Sequence, residues 1–485
     1  MTRQTSICPL ALATALAALG LSGCQFNTSG IAGNGDSPTA DASPDIVDAA
    51  PPTLDASDAN GACGGALLSA AVSVDGVDVA LGAQAPHARV LVGDLITLSA
   101  TGSCSADGTF NYSWAITPAD GIASTIEPNP TEETITLYAA EVEDYQISLT
   151  LSNRDGNKVS REVTVEVRGW QRIDGLETVD NNNANINALA VGGGHLWIGT
   201  ELDAHRLALP GTPNQFEVVN DLFGPDDAVI DPKQAAMFFD SASELLWIGG
   251  KDDASGPWQI DIGADPITIA QVAFDTPEAF DTVAKARSFA TGPSGIAMAT
   301  DEGITVALDN TTFTGVARPD GRTPHALGSG AGRRWAGSNH LYDLDNPGPL
   351  FDVLDSQNDD RIRALAVDEV AEVLWVGTAD FGVASFSHDT DSTLAIHDVA
   401  SGALPSDRIR AILVEPAGPH QGDVWVATDS GVARYLSRRD TWIQLGDDHG
   451  LLDRDDLEAL AIDVRGDART IYAGSNSGLV YIHEP

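Results

Sequence analysis

One phrase, apolar–Trp–apolar–small, recurs along this chain: HLWIGT at 195–200, LLWIGG at 245–250, VLWVGT at 373–378 and DVWVAT at 423–428. With the Trp as a ruler, equivalent positions fall at Trp197, Trp247, Ala297, Trp335, Trp375, Trp425 and Tyr472. The intervals are 50, 50, 38, 40, 50 and 47 residues. A chain that repeats one short unit has few folds open to it, because no unit buries its apolar face alone and neighbours must stack. A period of about 40–50 residues with one aromatic per unit belongs to a β-propeller. The unit around Trp425 shows the four strands a blade needs: RIRAILV (408–414) innermost, then DVWVAT, GVARYL (431–436) and, outermost, TWIQLG (441–446). Seven aligned units predict seven blades, the third and fourth being the least regular. The repeated Trp is expected in the core, where a ring can bury roughly 150–250 Å² in the wedge between blades. The small residue after it is expected to let the backbone turn.

The last unit has LEALAI (457–462), TIYAGS and GLVYIH (478–483) but no outer strand, while GWQRIDG (169–175) stands unpaired ahead of the first unit. The N-terminal strand is therefore expected to complete the last blade and remove the open edge. The stretches RIRALAVDEVAEVLWVGTADFGVASF (361–386), LEALAIDVRGDARTIYAGSNSGLVYI (457–482) and INALAVGGGHLWIGTE (186–201) resemble the two-component regulator propeller repeat. The resemblance covers most of 170–485. It implies the fold and a ligand-binding role, but not signalling.

Upstream, residues from Val90 to Val167 alternate with period two. Ile96 and Leu98, then Trp114 and Ile116, then Tyr145, Ile147, Leu149 and Leu151 each share a face. Asp155-Gly156 marks a turn, and Val163, Val165 and Val167 close the series. Short alternating strands with one Trp predict a β-sandwich. GDLITLSATGSCSADGTFNYSWAI and YQISLTLSNRDGN resemble the polycystic-kidney-disease-type immunoglobulin-like domain, with Trp114-Ala115-Ile116 standing where that family carries Trp-Asp-Phe-Gly-Asp. The expected fold is all-β: an immunoglobulin-like sandwich over 63–168, then a seven-bladed propeller over 169–485, closed by its N-terminal strand.

The N-terminus points to the cell envelope. Arg3 precedes a short apolar run, Leu10 to Leu21, that reads as a signal-peptide core rather than a span. Leu21-Ser22-Gly23-Cys24 resembles the bacterial lipobox, which implies a signal over 1–23 and a lipid on Cys24. Gln25, in place of Asp, favours the outer membrane, facing the periplasm or the surface. Residues 25–62 hold six Asp and no Lys or Arg, with too little apolar surface to order themselves, so 24–62 reads as a disordered acidic tether. With Cys8 lost and Cys24 acylated, Cys63 and Cys104 are left to pair in an oxidising compartment. Such a bridge is worth roughly 4 kcal/mol in the chain-entropy model.

Seventy Asp plus Glu against twenty-six Lys plus Arg give a net charge of −44, which repels nucleic acid and anionic lipid. The partners expected are a protein or an anionic glycan, with the membrane reached only through the lipid anchor and the chain a monomer. Against that charge, Arg361-Ile362-Arg363 and Arg408-Ile409-Arg410 stand at equivalent inner-strand starts, matched elsewhere by Asn185-Ile186-Asn187 and Asp456-Leu457-Glu458. Alternation sets both Arg of a pair opposite Ile, so the four can converge at the channel mouth, where guanidinium forks bind carboxylate, sulfate or phosphate. The competing reading is structural, with Asp359, Asp360, Asp407, Asp453 and Asp455 bridging to these Arg between blades. Catalysis finds little support. Ten His show no ligand spacing, those flanking Trp197 (His195 and His205) read as structural, and no nucleophile elbow or phosphate loop exists. No cofactor is expected. DSQNDDR (355–361) and DVRGDAR (463–469) are weak Ca²⁺ candidates, because neither has the full loop of alternating oxygens. The function expected is non-catalytic binding; the alternatives are a polysaccharide lyase or hydrolase using the propeller loops, and a scaffold subunit of an envelope complex.

Overall fold

The structure is a computed structural model. It describes residues between Leu68 and Glu484 apart from several internal segments, of which 219–233 is the longest; the signal, Cys24, the tether and Cys63 lie outside the described residues. Every regular element described is a strand except one 3-10 turn, Asp447–His449.

The N-terminal part forms two four-stranded sheets. One runs Ala88–Leu91, Lys158–Arg168, Asp144–Ser152, Asn111–Thr117, and the other Val77–Asp78, Ser73–Val74, Leu95–Ser99, Thr134–Tyr138. The alternation seen in the sequence is the alternation of burial. Ile96, Leu98, Ile135, Leu137, Tyr145, Leu149, Leu151 and Val165 are fully enclosed, while their strand neighbours lean outward. Trp114 is buried and donates its indole N–H to the Glu132 carbonyl at 3.0 Å. Cys104 is disulfide-bonded.

Seven sheets follow in succession, with inner strands Ile186–Gly192, Gln234–Asp240, Ala286–Gly292, Ala326–Gly330, Ile362–Asp368, Ile409–Val414 and Leu457–Arg465. We number the sheets in that order. Each inner strand packs beside the next, and the seventh packs beside the first. The sheets are individually open, so the arrangement rests on side chains between them. The ruler residues hold one register: Trp197 faces Ala190 across its strand pair, Trp375 faces Ala366, Trp425 faces Leu413 and Tyr472 faces Ala461. Each then fills the wedge toward the following sheet. Trp197 packs with Leu246 and Ile248, Trp375 with Val424 and Val426, and Tyr472 with Leu196 and Ile198. The seventh sheet takes its fourth strand from Gln171–Ile173, which pairs antiparallel with Gly478–Glu484. The irregular units are irregular here too: among the described residues the third sheet has five strands and the fourth three, with Phe351 bridging to Leu341 at its edge.

The small residue after the Trp has a different cause from the one expected. It lies inside a strand and makes no turn. A Cβ on Gly377 would meet Ile409 Cγ2 at 2.4 Å, and one on Gly474 would meet Ile186 Cγ2 at 2.4 Å. The first inner-strand residue of the next sheet presses against the bare backbone there, so only a very small residue fits. The turn that follows is secured separately. Thr378, Thr428 and Ser475 each donate a side-chain hydroxyl to the carbonyl of Gly382, Gly431 and Gly478.

Candidate functional site

Six of the seven inner strands begin with a β-bulge at the same place. The register slips between Ile186 and Ala188, Gln234 and Ala236, Ala286 and Ser288, Ile362 and Ala364, Ile409 and Ala411, and Leu457 and Ala459. The skipped residues are Asn187, Ala235, Arg287, Arg363, Arg410 and Glu458. In the fourth sheet pairing starts at Ala326, and the His325 N–H bonds to the Gly337 carbonyl at 2.8 Å, so His325 holds the equivalent position. A bulge leaves its extra residue unpaired and re-aims the side chain. That is what gathers these residues at one end of the channel, and simple alternation does not. The charges are close enough to feel one another across sheets. Burial lowers His325 to about 4, helped by Arg287, Arg363 and Arg361. Partial desolvation also lowers Arg363, with Arg410, Arg361 and Arg287 adding repulsion and Glu458 opposing.

A pocket of about 400 Å³ opens between the fifth and sixth sheets, lined by Arg361, Arg363, Ala379, Asp380, Arg408, Ile409 and Arg410. Its four Arg divide into two kinds. Arg408 bridges to Asp380 at 3.4 Å and Asp429 at 3.5 Å, and Arg410 to Asp456 at 3.3 Å and Glu458 at 3.4 Å. Both are thus paired with carboxylates other than those expected. Asp407 instead accepts the Val399 N–H at 2.8 Å, and Asp359, Asp360, Asp453 and Asp455 lie outside the described residues. Arg361 and Arg363 form no ion pair among the described residues, and both are exposed. Asn185 and Asn187 lie on the first sheet at the same end. Of the other residues weighed from sequence, His195 bonds to the Gly193 carbonyl at 2.8 Å, His205 is buried, and Asp463 pairs with Arg465 at 2.9 Å.

Sequence reasoning missed a second cluster, at the junction of the sandwich with the sixth and seventh sheets. Asp94, in the turn before Leu95–Ser99, receives Arg434 Nη1 at 2.5 Å and Arg469 Nη2 at 3.0 Å. Arg434 also donates to Asp423 at 2.8 Å, and Arg469 to Glu484 at 2.6 Å and to Glu415. Glu415 accepts the Trp425 indole N–H at 2.7 Å, and Arg434 lies 4.9 Å over the Trp425 ring. Burial opposes the Asp94 charge, but Arg434 and Arg469 outweigh it and hold the carboxyl at about 2. One apolar core runs from the sandwich through Trp170 to Trp425 and Ile471, so the sandwich is docked on the sheets and is not a detached spacer. Asp94, His420 and Glu484 offer ligand atoms within 4.8 Å of one another. The guanidiniums of Arg434 and Arg469 already occupy those carboxylates, so the donor set suits an ionic lock better than a metal.

His420 gives that lock a measurable pH dependence. Burial disfavours its charged form, yet the carboxylates of Asp423, 3.6 Å from Nδ1, and Glu484, 3.4 Å from Nε2, together with the charge of Asp94, raise it from 6.5 to about 9, although the Arg434 guanidinium stands 2.9 Å from Nδ1. A raised imidazole stabilises the fold fully below 6.5 and loses that contribution as pH climbs through about 9. Denaturant midpoints are therefore expected to fall between these values, and His420→Asn to flatten the fall. An equal slope in both proteins would sink this reading.

A comparison with protein-family models finds no match, and neither does one with curated proteins. Among solved structures, the extracellular domain assigned to the hybrid two-component system BT3049 of B. thetaiotaomicron is similar at a TM-score of 0.51 and 15% identity, over 69% of this chain and 43% of that one. The extracellular domain assigned to the one-component system BT4673 of the same bacterium gives 0.47 and 15%, over 65% and 40%. The WD40 β-propeller domain of Doa1 gives 0.47 and 13%, over 65% and 97%. The chain spans less than half the length of the two bacterial domains. At such identities the likeness is one of fold, an all-β propeller, and function must be argued from the site.

Proposed function

We propose that this chain is a lipid-anchored envelope protein whose propeller binds an anionic partner, protein or glycan, without turning it over. In this reading Cys24 carries the lipid, 24–62 is the tether, Cys63 pairs with Cys104, an immunoglobulin-like sandwich fills 63–168 and a seven-bladed propeller fills 169–485. One observation carries the binding role. In a chain of net charge −44, Arg361 and Arg363 stand side by side in a pocket with no carboxylate partner among the described residues. Guanidiniums at a concave mouth suit bidentate capture of an oxyanion.

The test is binding over a salt series, with the Arg361→Ala/Arg363→Ala double variant beside the parent. Polygalacturonate, polyglutamate and neutral dextran are the probes. Charged hydrogen bonds of this kind are worth about 1.5–3 kcal/mol each, so affinity for an acidic probe should fall at least tenfold or so in the variant. Binding should weaken with salt, and dextran should not bind. Equal affinity of both proteins for the acidic probes would overturn the site, and breakdown of polygalacturonate would overturn the non-catalytic reading.

A further inference from the structure

The turn after the ruler strand decides what the arginines of its sheet meet. In four sheets that strand ends on a Thr or Ser paired with the first inner-strand residue: Thr300 with Ala286, Thr378 with Ile362, Thr428 with Ile409 and Ser475 with Leu457. The residues that come next are Asp301, Ala379, Asp429 and Asn476. Ala379 and Asn476 hold the same backbone place, because each donates its N–H to the carbonyl just ahead of the inner strand, Arg361 at 2.9 Å and Asp456 at 3.4 Å. Where the residue is Asp, it neutralises an arginine of its own sheet. Asp301 takes Arg287 at 2.5 Å, and Asp429 takes Arg408 at 3.5 Å. By register, Arg287 stands where the fifth sheet has Arg363, and Arg408 where it has Arg361. The fifth sheet carries a methyl group in place of that carboxylate, and both its arginines go without an ion pair among the described residues. Its turn is one residue longer, closing on Gly382 where the sixth closes on Gly431. The carboxylate it does hold, Asp380, reaches across to Arg408 of the sixth sheet at 3.4 Å.

We infer that Ala379 is the residue that makes the fifth sheet an anion site, and that the bound group stands against Arg361 and Arg363 where Asp301 and Asp429 stand in their own sheets. The inference rests on the anion site proposed above and adds the residue that opens it and the group it admits. Ala379 lines the same pocket as both arginines, so an anion held by them lies against its methyl group. The group that fits is a carboxylate, the one these turns themselves present to the equivalent guanidiniums. An anion here also relieves repulsion, since Arg410, Arg361 and Arg287 all weaken the hold of Arg363 on its proton. Asp380 does not take this role. It is exposed and turned to Arg408, which Asp429 holds as well.

The experiment measures polyglutamate and polygalacturonate, two sources of carboxylate, by calorimetry on the full chain in detergent. Four proteins are used: the parent, Ala379→Asp, Ala379→Asn and Arg361→Ala/Arg363→Ala. Thermal unfolding checks that each is folded. Asp at 379 supplies from within the carboxylate that the ligand otherwise brings, so affinity for whichever polymer binds the parent should fall about tenfold. Asn has the same size without the charge and should keep the parent's affinity. If Ala379→Asp binds like the parent while the Arg variant does not, the inference falls and the anion site stands. An equal loss in Ala379→Asp and Ala379→Asn would make crowding the cause and would overturn the inference too. If neither polymer binds the parent, or the Arg variant binds as the parent does, the anion site falls and takes this inference with it. Should Ala379→Asp not fold, Ala379→Glu brings the same charge, and parent-like affinity in it would count against the inference in the same way.

Discussion

Replacing Arg434 by Met is expected to cost about 3–5 kcal/mol, the range for removing one partner from a buried ion pair. The guanidinium is wholly enclosed, and it serves Asp94 of the sandwich, Asp423 of its own sheet and the face of Trp425. Four carboxylates (Asp94, Glu415, Asp423 and Glu484) meet two guanidiniums, Arg434 and Arg469, with the His420 ring beside them. Carboxylates outnumber the cations in the cluster, and losing Arg434 worsens that excess. Losing a carboxylate relieves it, and the amide oxygen of Asn can still accept from Arg434, so Asp94→Asn should cost clearly less. The double variant should cost less than the sum of the two. Urea unfolding followed by Trp fluorescence reads all three, because Trp425 sits in the cluster. An Asp94→Asn cost equal to that of Arg434→Met would mean that charge balance does not govern the junction.

The contrast between the two clusters shows what a sequence exposes. The repeated Trp is legible because one bulky residue recurs at nearly fixed spacing, and the wedge it fills recurs with it. Arg361, Arg363, Arg408 and Arg410 were legible as a pair of matching tripeptides. The reason for their convergence was not, since a bulge is a slip of register that leaves no mark in composition. Arg287 and His325 escaped because the hairpin between inner strand and ruler residue varies in length. Arg287 lies ten residues before Ala297, Arg363 twelve before Trp375 and Arg410 fifteen before Trp425, so matching positions drift out of phase. The ionic junction was harder still. Asp94 and Arg434 are 340 positions apart, and a single acid in a Gly-Asp turn looks like any solvated turn until the sixth sheet closes over it. A small residue after the Trp is legible as well, but its cause is not a turn: the close approach of Ile409 and Ile186 from the neighbouring sheets demands it.

The same logic makes opposite substitutions destabilising at two positions that the repeat treats as equivalent. Trp335→Ala should destabilise by about 3–5 kcal/mol, the usual cost of truncating a buried Trp. Trp335 is 1% exposed, its ring centre lies 6.2 Å from both Phe351 and Phe386, and it joins the three-stranded fourth sheet to the core of the fifth. At Ala297 the consensus of the repeat would call for Trp, and restoring a consensus residue commonly stabilises. Here it should not. The space is already taken by Leu327, Ala336 and Tyr342 of the fourth sheet, with Tyr342 1% exposed. An added indole would have to displace Tyr342, so Ala297→Trp is expected to destabilise by about 1–3 kcal/mol through overpacking. Denaturant midpoints of the two variants decide the matter. If Ala297→Trp raises the midpoint, the third wedge is emptier than Tyr342 makes it, and each sheet carries its own wedge residue independently of its neighbour.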